Sequence, residues 1–271
     1  MTDPTALEAA QPSGRRARPA PLDVEVVRVE PQGGGFVRVV LGGDALEAFV
    51  WPGAGSHLKF FPSVSVDSSP VTRAGESAPR PPSRTYTPRS FDAARGELSI
   101  DFLLHGDGLC SKWAATAEPG DHVRVSMPRA VFHTSPGATW QLLAGDDSAV
   151  PAISTIIEAG VTIPTDIVIE TLSQERDRPV LPDHPFISIE WVAAQPARPG
   201  AALEEDLAHR AMPDGFGSVW IAGEAVAVRG MRKTLLEKHS VAPDALVTRG
   251  YWREGAVNHP DHDFGTDDLD T

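Results

Sequence analysis

Three residues in the first half of the chain have the types and spacing to hold a flat, phosphorylated ligand. The stretch SRTYTPRSFD contains Arg84, Tyr86 and Thr87, and it uses one of only two tyrosines in the chain. Arg84 could pair with a phosphate, the Tyr86 ring could cover a planar ring system, and Thr87 could donate a hydrogen bond. Because side chains two apart share one face of a strand, Arg84 and Tyr86 could bind one ligand. This combination suits a flavin, although exposed strands often contain the same residue types.

A glycine-rich turn follows about twenty residues later, in HGDGLCSKWAATA. His105, Gly106, Gly108 and Ser111 lead into a predicted helix, and Lys112 adds a positive charge. Free N–H groups and the positive dipole end at the start of a helix favour a diphosphate. An ordinary capped loop is the alternative for this turn alone. Together, the two motifs favour a flavin dinucleotide more strongly than either does separately.

Two strand ends in the second half are candidates for a nicotinamide cofactor. Gly145 and Asp146 end the apolar run of LLAGDDSAVPA, and Gly223 and Glu224 end that of WIAGEAVAVRG. Neither stretch contains the glycine pattern G-x-G-x-x-G of dinucleotide-binding folds. Ligands of open α/β sheets nevertheless bind at the carboxyl ends of strands. We interpret Asp146 and Asp147 as turn and cap residues beside the cofactor, since carboxylates pointing inward would repel phosphates.

The helix predicted after the second strand end carries three cations, Arg229, Arg232 and Lys233. They could bind a 2′-phosphate and so favour NADPH over NADH. A solvated helix face is an equally good explanation, and the sequence leaves the donor open between NADPH, NADH and a ferredoxin.

The elements that must position these residues change character along the chain. The first half alternates apolar and polar residues in short runs punctuated by Gly and Pro, which predicts a small antiparallel β-barrel. The second half alternates strands with helices, which predicts a parallel sheet with crossovers. In its first predicted helix we expect Ser148 as N-cap and Gly160 as the stop. The boundary is predicted near residues 135–138.

Composition and charge exclude several classes of protein. The chain has 271 residues and 41% hydrophobic content, enough for one large or two medium domains. Its net charge is −13, whereas a general nucleic-acid or anionic-membrane binder would need the opposite sign. The single cysteine, Cys110, allows no intrachain disulfide and no cysteine-based metal cluster, which suits the cytoplasm.

The chain termini are expected to contribute no chemistry. Residues 1–21 are rich in Ala, Pro, Ser and Arg, and we expect them to lack order. The twin arginines at 15–16 are followed by Pro and early charge, so we reject an export signal. The tail, residues 258–271, is acidic. Four of its residues have metal-ligand types, but we favour a tail without metal: His259, Asp261, His262 and Asp263.

Taken in order, the motifs resemble the siderophore-interacting protein family, whose members are flavin-dependent ferric-siderophore reductases related to ferredoxin–NADP reductases. The resemblance rests on HLKFFP, SRTYTPRSFD, DFLLHGDGLCSKWAATAEPGD, GDDSAVPAISTIIE, WIAGEAVAVRGMRKTLLE and GYWREG. It implies a six-stranded antiparallel flavin-binding barrel over residues 22–136. A Rossmann-like α/β domain that binds NAD(P)H would cover residues 137–257.

The resemblance also implies roles for individual residues. FAD would be held by Arg84, Tyr86, Thr87, His105, Gly106, Gly108 and Ser111, and NAD(P)H would contact Gly145, Asp146, Gly223 and Glu224. Cys110 stands where the family often has a small residue, and we interpret it as a buried core residue. Lys59, Arg129 and Arg253 would bind an anionic ferric siderophore.

In this interpretation the iron arrives chelated, the flavin transfers the electrons and no side chain acts as an acid or base. The oligomeric state is left open, with a monomer as the working assumption. Two alternatives remain: a related NAD(P)H:flavin or quinone reductase, and a siderophore-binding flavoprotein without turnover.

Overall fold

The computed structural model describes residues 19–62, 81–106 and 108–256, together with the backbone of residues 262–263. Residues 1–18 of the predicted disordered leader and most of the acidic tail, including the candidate ligands His259 and Asp261, lie outside these residues. None of the helices in the described ranges is long and apolar enough to cross a membrane.

The first half forms one antiparallel sheet with a short helix beside it. Its strand order is β4-β3-β7-β1-β2-β6-β5. The strands are β1 (Leu22–Pro31), β2 (Phe36–Gly42), β3 (Leu58–Phe61), β4 (Arg84–Tyr86), β5 (Pro88–Asp92), β6 (Glu97–Leu103) and β7 (His122–Val125). Helix α1 spans Leu109–Ala115. The inward positions of the strands form an apolar core that includes Phe60, Leu98, Ile100, Phe102 and Val125.

This sheet curls strongly, because its two edge strands are neighbours in sequence. β4 and β5 lie at opposite ends of the strand order, yet only Thr87 separates them along the chain. The edges must therefore approach one another at Thr87, which is buried. The antiparallel, curled architecture is as predicted, whereas the count of six strands is not confirmed. The described residues of the first half form seven strands, because the segment from Arg84 to Asp92 is divided at Thr87.

The second half forms a mainly parallel sheet with helices. Its order is β10-β9-β8-β11-β12-β13, and only β13 runs antiparallel to its neighbour. The strands are β8 (Trp140–Asp146), β9 (Thr165–Thr171), β10 (Ile187–Ala193), β11 (Gly217–Glu224), β12 (Leu246–Trp252) and β13 (His262–Asp263). The helices are α2 (Val150–Glu158), α3 (Ala201–His209) and α4 (Ala225–Glu237).

The order of this sheet reverses between β8 and β11. The chain adds β9 and β10 on one side of β8, and β11 and β12 on the other. Crossovers therefore diverge at this point and leave a crevice outside the carboxyl ends of β8 and β11. Asp146 ends β8 and Glu224 ends β11, so both predicted strand ends border the crevice.

The start of α2 differs from the prediction that Ser148 caps it. A 3-10 turn, Asp147–Ala149, precedes the helix, and the Asp146 carboxylate accepts a hydrogen bond from the Ser148 backbone N–H. A carboxylate is a stronger acceptor than a hydroxyl, and Asp146 is placed by the strand end. Ser148 is therefore the capped residue and not the cap.

Helix α2 packs the second sheet against the first. Phe36 and Leu103 of the first sheet join Ile153 and Ile156 of α2 in one hydrophobic cluster. Two polar contacts cross the same boundary: the Gly55 N–H donates to Thr155 Oγ1 at 3.0 Å, and Arg89 forms an ion pair with Glu158 at 2.5 Å. Because α2 follows β8 directly, these contacts fix the carboxyl end of β8 relative to the first sheet.

Candidate functional site

The side chains of Arg84 and Tyr86 lie on the core side of β4. Their cross-strand partners in β3 are Phe60 and Leu58, both fully buried, and paired residues point to the same face. The Tyr86 ring lies 4.4 Å from the Phe102 ring, centroid to centroid. The strand therefore presents both residues to the same side of the sheet, as the period of two predicted.

Tyr86 connects this strand to α1 through Cys110. The Tyr86 hydroxyl and the Cys110 thiol form a hydrogen bond. Burial raises the pKa of Tyr86, and it raises the pKa of Cys110 to about 12 although the Arg84 charge opposes that shift. Cys110 is therefore a neutral, buried thiol, and Arg84 lies close enough to act on the first turn of α1. The structure thus brings together the two motifs predicted to hold a flavin.

The turn before α1 contains two glycines, Gly106 and Gly108. Gly106 has a φ of +48°, with open space where a side chain would be, and Gly108 occupies the N-cap position. Among the described residues, no side chain caps α1, and its first turn contains no acidic residue. Ser111 Oγ instead accepts from the His105 backbone N–H at 2.9 Å, which holds the turn closed. Burial lowers the pKa of His105, so its ring is neutral near pH 7.

The helices of the second sheet begin differently, because carboxylates fill their N-termini. Glu224 Oε2 accepts from the N–H groups of Val226 and Ala227 at 2.6 and 2.9 Å. Glu170 on β9 accepts from Gly200 and Leu203 at 2.7 and 2.9 Å. Asp146 has the same function in the 3-10 turn before α2. Since a second anion is repelled from an occupied helix N-terminus, the start of α1 is the better fit for a diphosphate.

Glu170 was not singled out in the sequence. Its signal was weak: TDIVIETL contains two acidic residues, Asp166 and Glu170, and only the structure shows that Glu170 is 2% exposed. Buried carboxylates need hydrogen-bond donors, so such a residue indicates a cap elsewhere in the chain. The sequence did not show that the donors are thirty residues away.

Asp146 joins three strands at the crevice. Its Oδ2 accepts from the Glu224 N–H at 3.0 Å and from Trp252 Nε1 at 2.7 Å, while Oδ1 accepts from the N–H of Ser148. These contacts agree with the interpretation of Asp146 as a turn residue. Burial raises the pKa of Asp146 to about 6 despite these hydrogen bonds.

The raised pKa predicts a pH-dependent stability that Asp146→Asn should remove. The pKa of Asp146 is about 6 in the folded protein, whereas an aspartate of the unfolded chain has a pKa near 3.8. Protonation therefore favours the folded state as the pH falls. Relative to D146N, the wild type should gain about 1 kcal/mol between about pH 7 and about pH 5. Urea unfolding of both proteins at the two pH values measures this difference, and a constant difference would contradict the assignment.

The three cations proposed for a substrate lie on two different sheets. Lys59 pairs with Thr85 across β3 and β4, and Lys59 Nζ donates to Thr85 Oγ1 at 2.5 Å. Lys59 is therefore on the opposite face of this strand pair from Arg84 and Tyr86. Arg129 forms an isolated bridge with His57, two residues before Lys59. The structure thus brings Lys59 and Arg129 near one another, while Arg253 follows β12 in the second sheet.

The prediction that Arg232 could bind a 2′-phosphate is wrong. Arg232 is 2% exposed, and its Nη1 donates to the Leu246 carbonyl at 3.3 Å, so it packs between α4 and the sheet. The helical period turns it inward, while Arg229 and Lys233 are exposed on the same helix. A 2′-phosphate could reach only the latter two.

Both halves of the chain match known protein families and curated relatives. The family model of the siderophore-interacting FAD-binding domain matches residues 25–132, and that of siderophore-interacting protein matches residues 138–255. An NADPH-dependent ferric-chelate reductase of Escherichia coli is 33% identical over 85% of this chain and 92% of its own. The ferric vibriobactin reductase ViuB of Vibrio cholerae is 29% identical over 90% of this chain and 93% of its own.

A solved structure agrees with the sequence matches. The siderophore utilization protein from T. fusca superposes with a TM-score of 0.75 and 29% identity, over 90% of this chain and 96% of that one. The matches thus extend over both sheets.

Proposed function

Because this chain belongs to the siderophore-interacting protein family, we propose that it is an NADPH-dependent, FAD-containing reductase of ferric siderophores. The observation that carries the proposal is the convergence of Arg84, Tyr86 and the uncapped start of α1. An anion partner, a ring surface and free N–H groups at one place are what a flavin dinucleotide requires. The crevice between β8 and β11 adds a second ligand site on the neighbouring sheet.

The residues of the first sheet fit FAD. Arg84 would bind the diphosphate together with the N–H groups that follow Gly108, and Tyr86 and Thr87 would contact the ring system. His105, Gly106 and Ser111 would shape the turn beside it. Bound FAD supplies the step that links a two-electron donor to a one-electron acceptor, because NADPH gives a hydride and ferric iron takes one electron.

The second sheet would bind the nicotinamide donor at its crevice. Gly145 and Gly223 would line the crevice, since both are positions where the backbone must come close to its neighbours. We propose that Asp146 and Glu224 border the site and maintain its shape, because their carboxylate oxygens are engaged by backbone N–H groups. Arg229 and Lys233 are the candidates for a 2′-phosphate.

The substrate would be recognised by charge. Lys59, Arg129 and Arg253 would provide the local positive charge that a chain of net charge −13 needs to bind an anionic ferric siderophore. Hard oxygen ligands hold Fe(II) far less tightly than Fe(III), so reduction releases the iron. We also propose that the protein is cytoplasmic and monomeric, without stable membrane association. The boundary between its two domains would lie between residues 136 and 137.

A spectroscopic experiment tests this proposal. The purified protein, loaded with FAD, is mixed anaerobically with NADPH or NADH, and then with a ferric catecholate or hydroxamate siderophore and an Fe(II) trap. We expect NADPH to bleach the flavin spectrum and the siderophore to restore it, with Fe(II) appearing in the trap.

Each alternative has its own outcome in this experiment. Bleaching by NADPH with no recovery on any ferric siderophore would favour a flavin or quinone reductase. Siderophore binding without bleaching by either donor would favour a carrier. Failure to bind FAD at all would overturn the central assignment.

A further inference from the structure

Arg253 lies between two residues that the structure holds in place. Arg253 itself is exposed. The residue before it, Trp252, is bound by the Asp146 carboxylate, and the residue after it, Glu254, is bound by the Glu224 carboxylate. Two hydrogen bonds to carboxylates thus fix the backbone on both sides of an exposed arginine.

We call the hydrogen bond from Trp252 to Asp146 the first tether, and it passes across strand β11. Trp252 is on β12, Asp146 is on β8, and β11 lies between them. The register of β11 and β12 shifts between Gly223 and Glu224, so that Trp252 is opposite Glu224. A Cβ at Gly223 would lie 2.7 Å from Asp146 Oδ2, the atom that receives the indole N–H. The absence of a side chain at Gly223 therefore leaves room for this hydrogen bond.

The second tether is the hydrogen bond from the Glu254 N–H to Glu224, and it uses the carboxylate oxygen that does not cap α4. Oε2 accepts from the two N–H groups at the start of α4, and Oε1 accepts from the Glu254 N–H at 3.2 Å. One carboxylate thus fixes the helix start and the chain beyond Arg253. Both tethers begin at the crevice, where a ligand of this sheet would bind.

We propose that Asp146 and Glu224 are positioning residues that hold Arg253 to bind the anionic ligand shell of a ferric siderophore of the catecholate class. This inference rests on the proposed function. A guanidinium on a fixed backbone loses less conformational entropy when it binds a carboxylate or catecholate oxygen. Ferric tricatecholates are trianionic, whereas ferric trihydroxamates are neutral, so the fixed charge discriminates between the two classes.

Three substitutions separate positioning from general stability. Trp252→Phe removes the indole N–H and keeps an aromatic ring. Glu224→Gln keeps one oxygen for the α4 cap and loses the acceptor for Glu254. Arg253→Gln removes the charge itself. Glu170→Gln is the matched control, because Glu170 is also a buried capping carboxylate at this sheet edge but does not contact residues 252–254.

The measurement is the Kd of the oxidised, FAD-loaded protein for a ferric tricatecholate and a ferric trihydroxamate, by titration calorimetry. We expect W252F, E224Q and R253Q each to weaken tricatecholate binding about five- to tenfold, the loss typical of one charged contact. E170Q and all trihydroxamate values should change little. The double variant W252F/R253Q should bind no more weakly than R253Q alone, since both changes remove the same contact.

The outcomes distinguish this inference from the proposed function. If W252F and E224Q match E170Q, or if the double variant shows additive losses, the positioning role is wrong while the reductase assignment stands. If R253Q binds the tricatecholate like the wild type, Arg253 is not a substrate residue and the inference also fails. Flavin bleaching by NADPH, measured on W252F and E170Q, should remain at the wild-type rate, because neither Trp252 nor Glu170 is assigned to a binding site. If wild-type protein binds neither ferric complex, the proposed function fails with it.

Discussion

Replacing Arg84 by alanine should lower the affinity of the protein for FAD about 10- to 100-fold, the loss expected when one charge-assisted hydrogen bond to a phosphate is removed. The half-buried guanidinium lies beside Tyr86 and the first turn of α1, where its charge acts on the pKa of Cys110. A diphosphate bound at the start of α1 would therefore meet Arg84 directly. The Kd of the apoprotein for FAD, measured from the quenching of flavin fluorescence, gives the result.

Arg95→Ala is the control for this prediction. Arg95 lies in the turn between β5 and β6, its side chain is 69% exposed, and it pairs with Asp92 at 3.7 Å. R95A makes the same change in net charge as R84A but leaves Arg84, Tyr86 and Thr87 in place. Equal affinities of R84A and R95A for FAD would show that Arg84 acts only through the overall charge of the chain, and the diphosphate assignment would be lost.

Gly145→Ala should destabilise the folded protein by about 3 kcal/mol, at the upper end of the range for overpacking a core. A Cβ at position 145 would lie 2.4 Å from both the Ala149 Cβ and the Ala222 carbonyl oxygen. Neither neighbour can rotate away, because one is attached to the backbone and the other is part of it. The strand end would have to move, and the crevice between β8 and β11 with it. Urea denaturation followed by tryptophan fluorescence measures the change.

Gly230→Ala is the matched substitution for Gly145→Ala. Its Cβ would lie 2.1 Å from Glu204 Oε1, but that atom is the tip of a flexible side chain and can rotate into solvent. Gly230 is inside α4, where alanine is favoured over glycine by about 1 kcal/mol. G230A should therefore be as stable as the wild type or slightly more stable. If the two variants unfold at the same urea concentration, close packing at Gly145 is not what requires the glycine.

The sequence alone was sufficient for the antiparallel first half and the parallel second half, and it predicted the main cofactor motif. Alternation of period two predicted the antiparallel strands, and strands alternating with helices predicted the parallel sheet. The same period placed Arg84 and Tyr86 on one face of their strand, where the structure has them. These features depend on residues close together in the chain, so the pattern within a few residues determines them.

Only the tertiary structure decided which residues act together. The hydrogen bond between Trp252 and Asp146 joins residues 106 positions apart, and the contact of Glu170 with Gly200 spans thirty. The burial of Arg232 depends on the face that α4 packs against β12, and the division of the strand at Thr87 depends on how far the sheet curls. Strand order, register and helix packing set such contacts, and no local pattern records them. The sequence therefore predicted the candidate site residues, while the fold assigned their hydrogen-bond partners.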